Sequence, residues 1–185
     1  NLIKHGWDTS TSGNEIHNAI VISEADRLAI KSHLVDLMCT VPHSIQLQCS
    51  EAVSLIATHD FPHKWDQLLP DLILKLQSHD LSVVNGVLLT CNSIFKRFRH
   101  AERSDELYQV ILYVLEKMQQ PLLALFKSMS QGIDAAANDE LQLRARISCM
   151  NNMMKIYYSL IYQDLPEYFE DNIKDIMEVL AKFLQ

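Results

Sequence analysis

The sequence is short of glycine and proline, the two residues that most often interrupt helices. Only 4 Gly and 5 Pro occur among 185 residues, whereas apolar residues make up 48%. Each of the four glycines is isolated from the others, so no glycine-rich loop that would cradle a phosphate is present. This composition favours long helices with short connections, and it disfavours nucleotide binding.

Basic charge and long apolar runs are also scarce. The net charge is −7, and neutralising a phosphate backbone needs a basic surface, so no DNA or RNA binding is expected. No apolar run approaches the ~20 residues of a membrane span, so no membrane insertion is expected either. The acidic balance fits a basic or mixed partner, although a solvated acidic face is the commoner cause.

Groups arranged for catalysis or metal binding are missing as well. The four cysteines contain no CxxC pair and lie on apolar helix faces, which indicates buried, reduced thiols of a cytosolic or nuclear protein. His59 and His63 are close in sequence, but Pro62 separates them, so they do not share a helical face. We therefore predict no catalytic residue, no metal ion and no cofactor, and we expect no enzyme activity.

What the sequence does contain is a repeated segment that is typical of a helix start. Residues 60–62 read Asp-Phe-Pro and are followed by Trp65, while residues 164–166 read Asp-Leu-Pro and are followed by Phe169. We expect the proline to open a helix in both copies and the aspartate to cap it. The aromatic residue is then expected to fill the seam between neighbouring repeats. Chains that repeat one structural device in this way are usually stacked helical repeats.

Helical periodicity predicts seven helices and no strand. They are expected near residues 23–40, 42–58, 62–76, 81–99, from 104 onward with a kink at Pro121, 140–162 and from 166 onward. Ser23 and Ser104 have the spacing of N-caps. The apolar stripe of the first helix comprises Ala25, Leu28, Ile30, Leu34, Leu37, Met38 and Val41, and that of the fourth comprises Val84, Val87, Leu88, Cys91, Phe95 and Phe98.

Pairs of such helices joined by short turns predict an all-α superhelix of HEAT-type hairpin repeats. Residues 1–7 would end a first repeat, and 8–18 would form a loop. Residues 23–58, 62–99 and 104–162 would form hairpins, and 164–185 would begin the next repeat. Because residue 1 is not Met and the last segment reads as an amphipathic helix, we expect a segment of a longer array. A compact helical bundle is the structural alternative.

Polar rows on the second helix of each pair indicate a candidate interaction surface. In a hairpin solenoid the second helices line one side, so the rows of helices two, four and six would form one continuous surface. They are Leu47, Glu51, Ser54 and Thr58; Asn85, Leu89, Asn92 and Lys96; and Arg144, Ser148, Asn151, Lys155 and Ser159. A solvated surface tolerates the same spacing, so the pattern leaves binding and solvation equally open.

A basic run, Lys96 to His100, ends the fourth helix. Its cations would either contact an acidic partner or complement the carbonyl end of a helix. The second interpretation is favoured, and the two are compatible.

Several segments resemble nuclear transport receptors of the importin-beta superfamily. Asp60-Phe61-Pro62 with Trp65 and residues 68–70 resembles their early-repeat signature. Residues 84–88, 93–100, 157–160 and 163–172 are similar to the branch that returns importin alpha to the cytoplasm, and Asn1–Lys4 with Trp7 is similar to the end of its first repeat. The resemblance covers nearly the whole chain and departs in the loops at 8–22 and 132–138.

The resemblance implies a transport receptor that performs no bond chemistry itself. Such a receptor binds GTP-loaded Ran and importin alpha in the nucleus, and GTP hydrolysis on Ran releases the cargo in the cytoplasm. Its inner helices grip Ran, and its outer helices touch phenylalanine-glycine repeats of pore proteins. The implied Ran-binding residues are Glu51, Asn85, Asn92, Lys96, Asn151 and Lys155. A general helical-repeat scaffold without Ran binding is the functional alternative.

Overall fold

Helices form all of the regular structure in the part of the chain that is described. A computed structural model of the protein describes Trp7 and residues 22–181, apart from the side chain of Asp134. The helices are α1 (Glu24–Thr40), α2 (His43–Asp60), α3 (Leu68–Lys75), α4 (Leu81–Phe95), α5 (Asp105–Ala135), α6 (Glu140–Ile161) and α7 (Glu167–Ala181), with a 3-10 helix, Lys96–Arg99, directly after α4. The all-α class predicted from periodicity is confirmed.

These helices stack in two layers. α1, α3, α5 and α7 pack side by side in one layer, and α2, α4 and α6 pack side by side in the other. Successive helices alternate between the layers, and contacts join α1 to α2, α3 to α4 and α5 to α6, which is the arrangement of HEAT-type hairpins. We call the layer of α1, α3, α5 and α7 the outer layer and the layer of α2, α4 and α6 the inner layer.

Polar side chains cap the starts of several helices. Ser23 accepts a hydrogen bond from the Asp26 amide at 3.2 Å, and Ser104 accepts one from the Leu107 amide at 3.2 Å, as their spacing predicted. α5 continues through Pro121 as a helix of 31 residues. None of the helices in the described ranges is long and apolar enough to cross a membrane.

The first copy of the repeated segment does not open a helix, so that prediction was wrong. Asp60 is the last residue of α2, the Phe61–Pro62 peptide bond is cis, and α3 begins only at Leu68. Asp60 caps no first turn. Its buried carboxylate instead pairs with the Lys31 ammonium of α1 at 2.5 Å.

The second copy behaves more nearly as expected. α7 begins at Glu167, directly after Pro166. The Asp164 carboxylate, however, accepts a hydrogen bond from the Leu165 amide at 2.9 Å, which lies before the helix, so it is not the first-turn cap that we predicted. Both aromatic residues of the two copies are buried, with Trp65 4% and Phe169 3% exposed.

The core confirms one predicted stripe and corrects another. All six residues of the α4 stripe are buried. In α1, by contrast, Leu28 is 59% exposed and Leu37 48% exposed, while Arg27 and Lys31 are buried. Trp7 explains why these two cationic side chains are buried in place of the leucines. Its buried ring lies 5.0 Å from the Arg27 guanidinium and 5.9 Å from the Lys31 ammonium. The predicted loop at 8–18 and the segment before Trp7 lie outside the described residues.

Candidate partner-binding surface

An open groove runs along the solvent side of α2 and α4 in the inner layer. Its volume is about 480 Å³. The residues that line it are Leu47, Ser50, Glu51, Ser54, Leu55, Thr58, Leu89, Ser93 and Lys96. The structure therefore brings the whole predicted row of helix two together with two members of the row of helix four.

Three lining residues, Ser50, Leu55 and Ser93, were missed by the sequence reading. Ser50 is buried at the floor of the groove, where its hydroxyl accepts a hydrogen bond from Thr90 at 2.9 Å. Ser93 lies one helical turn after Leu89, so extending the α4 row by that spacing finds it. Leu55 gave no signal, because it belongs to the flank of the α2 row.

The groove has the chemistry of a protein-binding surface. It combines leucine side chains, serine and threonine hydroxyls, one carboxylate and one ammonium group. Within the described ranges, neither Glu51 nor Lys96 forms an ion pair, and both are exposed. Exposed groups of opposite charge beside apolar side chains can contact a mixed protein surface.

Two of the predicted Ran-binding residues lie in the seam between α4 and α6. The Asn85 amide oxygen accepts hydrogen bonds from the Ser148 hydroxyl at 2.9 Å and the Asn152 amide at 3.0 Å. Asn92 is half-buried two turns later on the same face, and its amide oxygen is buried without a partner in the described part of the chain. Asn85 is thus engaged in joining two repeats.

The remaining predicted residues are open to solvent. On α6, Asn151 and Lys155 are exposed, whereas Ser159 of the same predicted row is buried against the 3-10 helix. Glu51, Lys96, Asn151 and Lys155 are therefore the predicted residues whose side chains are available to a partner.

The basic run contains what we call the arginine clasp, Arg97 and Arg99. Arg97 donates to the carbonyl oxygens of Ala57 at 2.7 Å and Phe61 at 3.4 Å, at the end of α2. Arg99 donates to the Ser159 hydroxyl at 2.8 Å and the Lys155 carbonyl at 3.1 Å, near the end of α6. The interpretation as complements of helix carbonyls is confirmed, but the helices served are the two neighbours in the inner layer.

We expect the substitution Arg97→Met to destabilise the fold by about 2 kcal/mol, because it removes charge-assisted hydrogen bonds from half-buried carbonyls. Arg97 is partly buried, and this desolvation lowers its pKa. The control is Arg144→Met, since Arg144 and its partner Glu140 are 76% and 75% exposed and such pairs contribute little. Urea denaturation measures the free energy of unfolding of both variants. If Arg97→Met and Arg144→Met lower it equally, the arginine clasp does not stabilise the fold.

Cys91 and Cys149 are buried thiols whose surroundings disfavour the thiolate. Burial raises the pKa of Cys91 to about 12 and that of Cys149 to about 11, so both are protonated and unreactive at neutral pH. Within the described ranges, no three His, Cys, Asp or Glu side chains come together as metal ligands would.

Comparison with known proteins identifies the family to which this two-layer array of helices belongs. Residues 94–185 match the Cse1 family model. Exportin-2 of Homo sapiens is 46% identical over 156 residues, which is 84% of this chain, and exportin-2 of Xenopus laevis is 42% identical over 178 residues, which is 96% of it.

A solved structure agrees with the sequence relatives. The exportin Cse1 in its cargo-free, cytoplasmic state superposes on 98% of this chain with a TM-score of 0.86 and 37% identity. The chain spans 16% and 18% of the two exportin-2 proteins and 19% of the Cse1 chain. The chain belongs to the exportin-2 (Cse1) family of the importin-beta superfamily.

Proposed function

We propose that this chain is the part of a nuclear export receptor whose inner layer binds GTP-loaded Ran. With Ran bound, the full receptor carries importin alpha from the nucleus to the cytoplasm and shuttles between them through the nuclear pore. The observation that supports this most directly is the match of nearly the whole chain to the exportin-2 family. In the structure, the groove of α2 and α4 provides a surface of suitable chemistry.

The binding surface in this proposal comprises the exposed members of the predicted rows. Glu51 and Lys96 line the groove, and Asn151 and Lys155 extend the surface onto α6. Asn85 contributes indirectly, because its hydrogen bonds to Ser148 and Asn152 hold α6 beside α4. The receptor supplies positioned contacts, and the GTPase chemistry belongs to Ran.

Cooperation between Ran and cargo follows from the architecture. Each hairpin of a solenoid contacts mainly its neighbours, so the curvature of the array changes through many small adjustments. If Ran and importin alpha both bind the same curved state, part of the binding free energy of the first ligand is used to reach that state. The second ligand then binds more tightly.

We place contacts with phenylalanine-glycine repeats of pore proteins at a crevice between the start of α5 and the start of α7. The crevice has a volume of about 360 Å³. Leu107, Ile111, Leu160 and Pro166 provide apolar walls, and Tyr108, which is 39% exposed, lies at its rim. An apolar crevice of this kind fits an aromatic side chain.

The test compares Ran loaded with GTP and with GDP, using a full-length receptor that contains this chain, in the presence of importin alpha. We expect GTP-loaded Ran to bind at least ~10-fold more tightly, within the usual range of allosteric coupling. Glu51→Lys is expected to weaken that binding ~5-fold or more, because it reverses the charge that position 51 offers to a basic group of the partner. Glu170→Lys, an exposed change on α7 of the outer layer, is the matched control.

Equal binding of both nucleotide states would contradict the proposal and favour a general helical-repeat scaffold. The receptor could instead prefer GTP-loaded Ran while Glu51→Lys and Glu170→Lys both bind it as tightly as the wild type. That result would support the receptor function, but it would place the Ran contact outside the groove.

A further inference from the structure

The two layers carry opposite charge, although the chain as a whole is acidic. The helices of the inner layer and the 3-10 helix contain six Lys or Arg and three Asp or Glu, a formal charge of +3. The outer layer contains six Lys or Arg and thirteen Asp or Glu, a formal charge of −7. A partner that approaches the inner layer therefore meets a different field from the one that the net charge indicates.

Most inner carboxylates are already neutralised by contacts within the chain. Asp60 is buried against Lys31, and Glu140 pairs with Arg144 at 2.6 Å. Neither α4 nor the 3-10 helix contains an acidic residue. Glu51 is then the one inner carboxylate without an ion pair in the described part of the chain.

The positive charge is concentrated at one end of the inner layer. Arg99 donates to the Lys155 carbonyl at 3.1 Å, which brings the end of α4 beside Lys155 of α6. Lys96 lies one turn before Arg99 and lines the groove. The Arg99 guanidinium also lies 4.7 Å from the centre of the exposed Tyr158 ring, which helps to hold it against α6. We call Lys96, Arg99 and Lys155 the cationic edge.

The two lysines of this edge are available for binding. Both are exposed, and neither forms an ion pair with any residue in the described ranges. Arg99, by contrast, uses its donors on Ser159 and the Lys155 carbonyl. Glu51 lines the same groove but forms no ion pair with Lys96, so the cations of the edge are not neutralised within the described part of the chain, and an external anion would relieve their mutual repulsion.

We propose that the cationic edge binds a cluster of carboxylates on the protein that occupies the inner-layer groove. This inference rests on the proposed function and names the chemistry of one end of that site. An acidic protein segment fits better than a nucleic acid, because the edge is small and the outer layer would repel a long phosphate backbone. Complementary charge at this edge also steers the partner into the groove.

Zero-length carbodiimide crosslinking tests the contact directly, since it joins an amine to a carboxylate only when the two touch. With the full-length receptor, GTP-loaded Ran and importin alpha, we expect Lys96 and Lys155 to crosslink to acidic residues of the partner. Lys174 of α7 is the internal control, because it is an exposed lysine on the outer layer. Crosslinks at Lys174 with none at Lys96 or Lys155 would overturn the proposal.

The second measurement is the affinity of the full-length receptor for GTP-loaded Ran in the presence of importin alpha. The double substitution Lys96→Glu and Lys155→Glu is expected to weaken binding about tenfold and to flatten its salt dependence, because it replaces attraction by repulsion at two positions. Lys174→Glu should leave both unchanged. Arg99 is left intact, so the seam between α4 and α6 is preserved.

The outcomes separate this inference from the proposed function. If the wild-type receptor shows no preference for GTP-loaded Ran, the proposed function fails. If it does prefer GTP-loaded Ran and the double variant binds with the same affinity and salt dependence, the proposed function stands and the cationic edge is refuted. Retention of a single-stranded RNA oligonucleotide at physiological salt, lost in the double variant, would also refute an acidic protein segment as the occupant.

Discussion

Replacing Lys31 with methionine is expected to lower the free energy of unfolding by about 3–5 kcal/mol, because it leaves a buried carboxylate unpaired. The side chains of Lys31 and Asp60 are 8% and 5% exposed, and their charged atoms lie 2.5 Å apart. Lys31 also donates to the Lys64 carbonyl at 2.8 Å. The change therefore disrupts the turn between α2 and α3 as well as the ion pair.

The position of Asp60 makes it depend strongly on this partner. It is the last residue of α2, where the negative end of the helix dipole disfavours another negative charge. Methionine retains most of the apolar stem of lysine, so lost packing contributes less to the effect than the lost ammonium group.

A matched control lies nearby between α1 and α3. Lys75 and Asp36 also form an ion pair, at 2.6 Å, but their side chains are 33% and 63% exposed. Lys75→Met is expected to cost below about 1 kcal/mol, as is usual for surface pairs. Urea denaturation of the 185-residue chain, followed by circular dichroism, measures both.

A double-mutant cycle tests the mechanism. Asp60→Asn in the Lys31→Met background should recover part of the loss, because a buried neutral amide costs less than a buried charge. If the two substitutions add without any recovery, the loss arises from packing and the ion-pair explanation is wrong.

The same two residues show why part of the fold escapes sequence reasoning. An Asp-Phe-Pro segment is compatible with a helix N-cap, and also with a helix end followed by a turn. What decides between them is Lys31, which lies on another helix and reads as part of an amphipathic surface. Local patterns carry no information about such tertiary partners. In the second copy Asp164 forms no ion pair with any described residue, and α7 begins directly after Pro166 as the local rule predicts.

The predictions that succeeded rest on periodicity. The α4 stripe combines small, β-branched and aromatic residues at helical spacing, and every member is buried. Pairing of consecutive helices then placed α2, α4 and α6 in one layer, which brought the α2 row to the groove. The α1 stripe failed because Trp7 covers Arg27 and Lys31, and a cation on an apolar stem can be buried beneath an aromatic ring.

Charge was the property that sequence totals described least well. A net charge of −7 indicates an acidic protein, yet the alternation of helices between layers separates +3 from −7. That separation is hidden until each helix is assigned to a layer. The polar rows had a similar limit, because spacing alone does not distinguish Asn85, which joins α4 to α6, from Asn151, which is open to solvent.

Phe169→Ala is expected to weaken the attachment of α7 by about 3–5 kcal/mol, the usual cost of truncating a buried phenylalanine. Its ring is 3% exposed and packs edge-on against Tyr157 of α6, with ring centres 5.5 Å apart. Tyr157 packs in turn against Phe126 of α5 at 6.0 Å. Desolvation raises the pKa of Tyr157, which is consistent with a dry seam.

The loss should be local, because α7 is the last described helix and packs mainly against α5. Tyr168 donates to the Gln119 carbonyl at 3.1 Å, and Lys127 pairs with Asp175 at 2.5 Å across half-exposed surfaces. Amide hydrogen exchange in α7 is therefore expected to accelerate by roughly a hundredfold to a few thousandfold, the change in opening equilibrium that about 3–5 kcal/mol produces, while the amides of α4 keep their protection.

Ile173→Ala provides the comparison on the same helix, since Ile173 is 49% exposed and alanine has the higher helix propensity. It should change exchange in α7 by only a few-fold. If both substitutions accelerate exchange equally, the aromatic chain from Phe126 through Tyr157 to Phe169 does not hold this repeat in place. If Phe169→Ala instead unfolds α4 and α7 together, the array responds as one cooperative unit, contrary to the nearest-neighbour behaviour from which we derived the coupling of Ran to cargo.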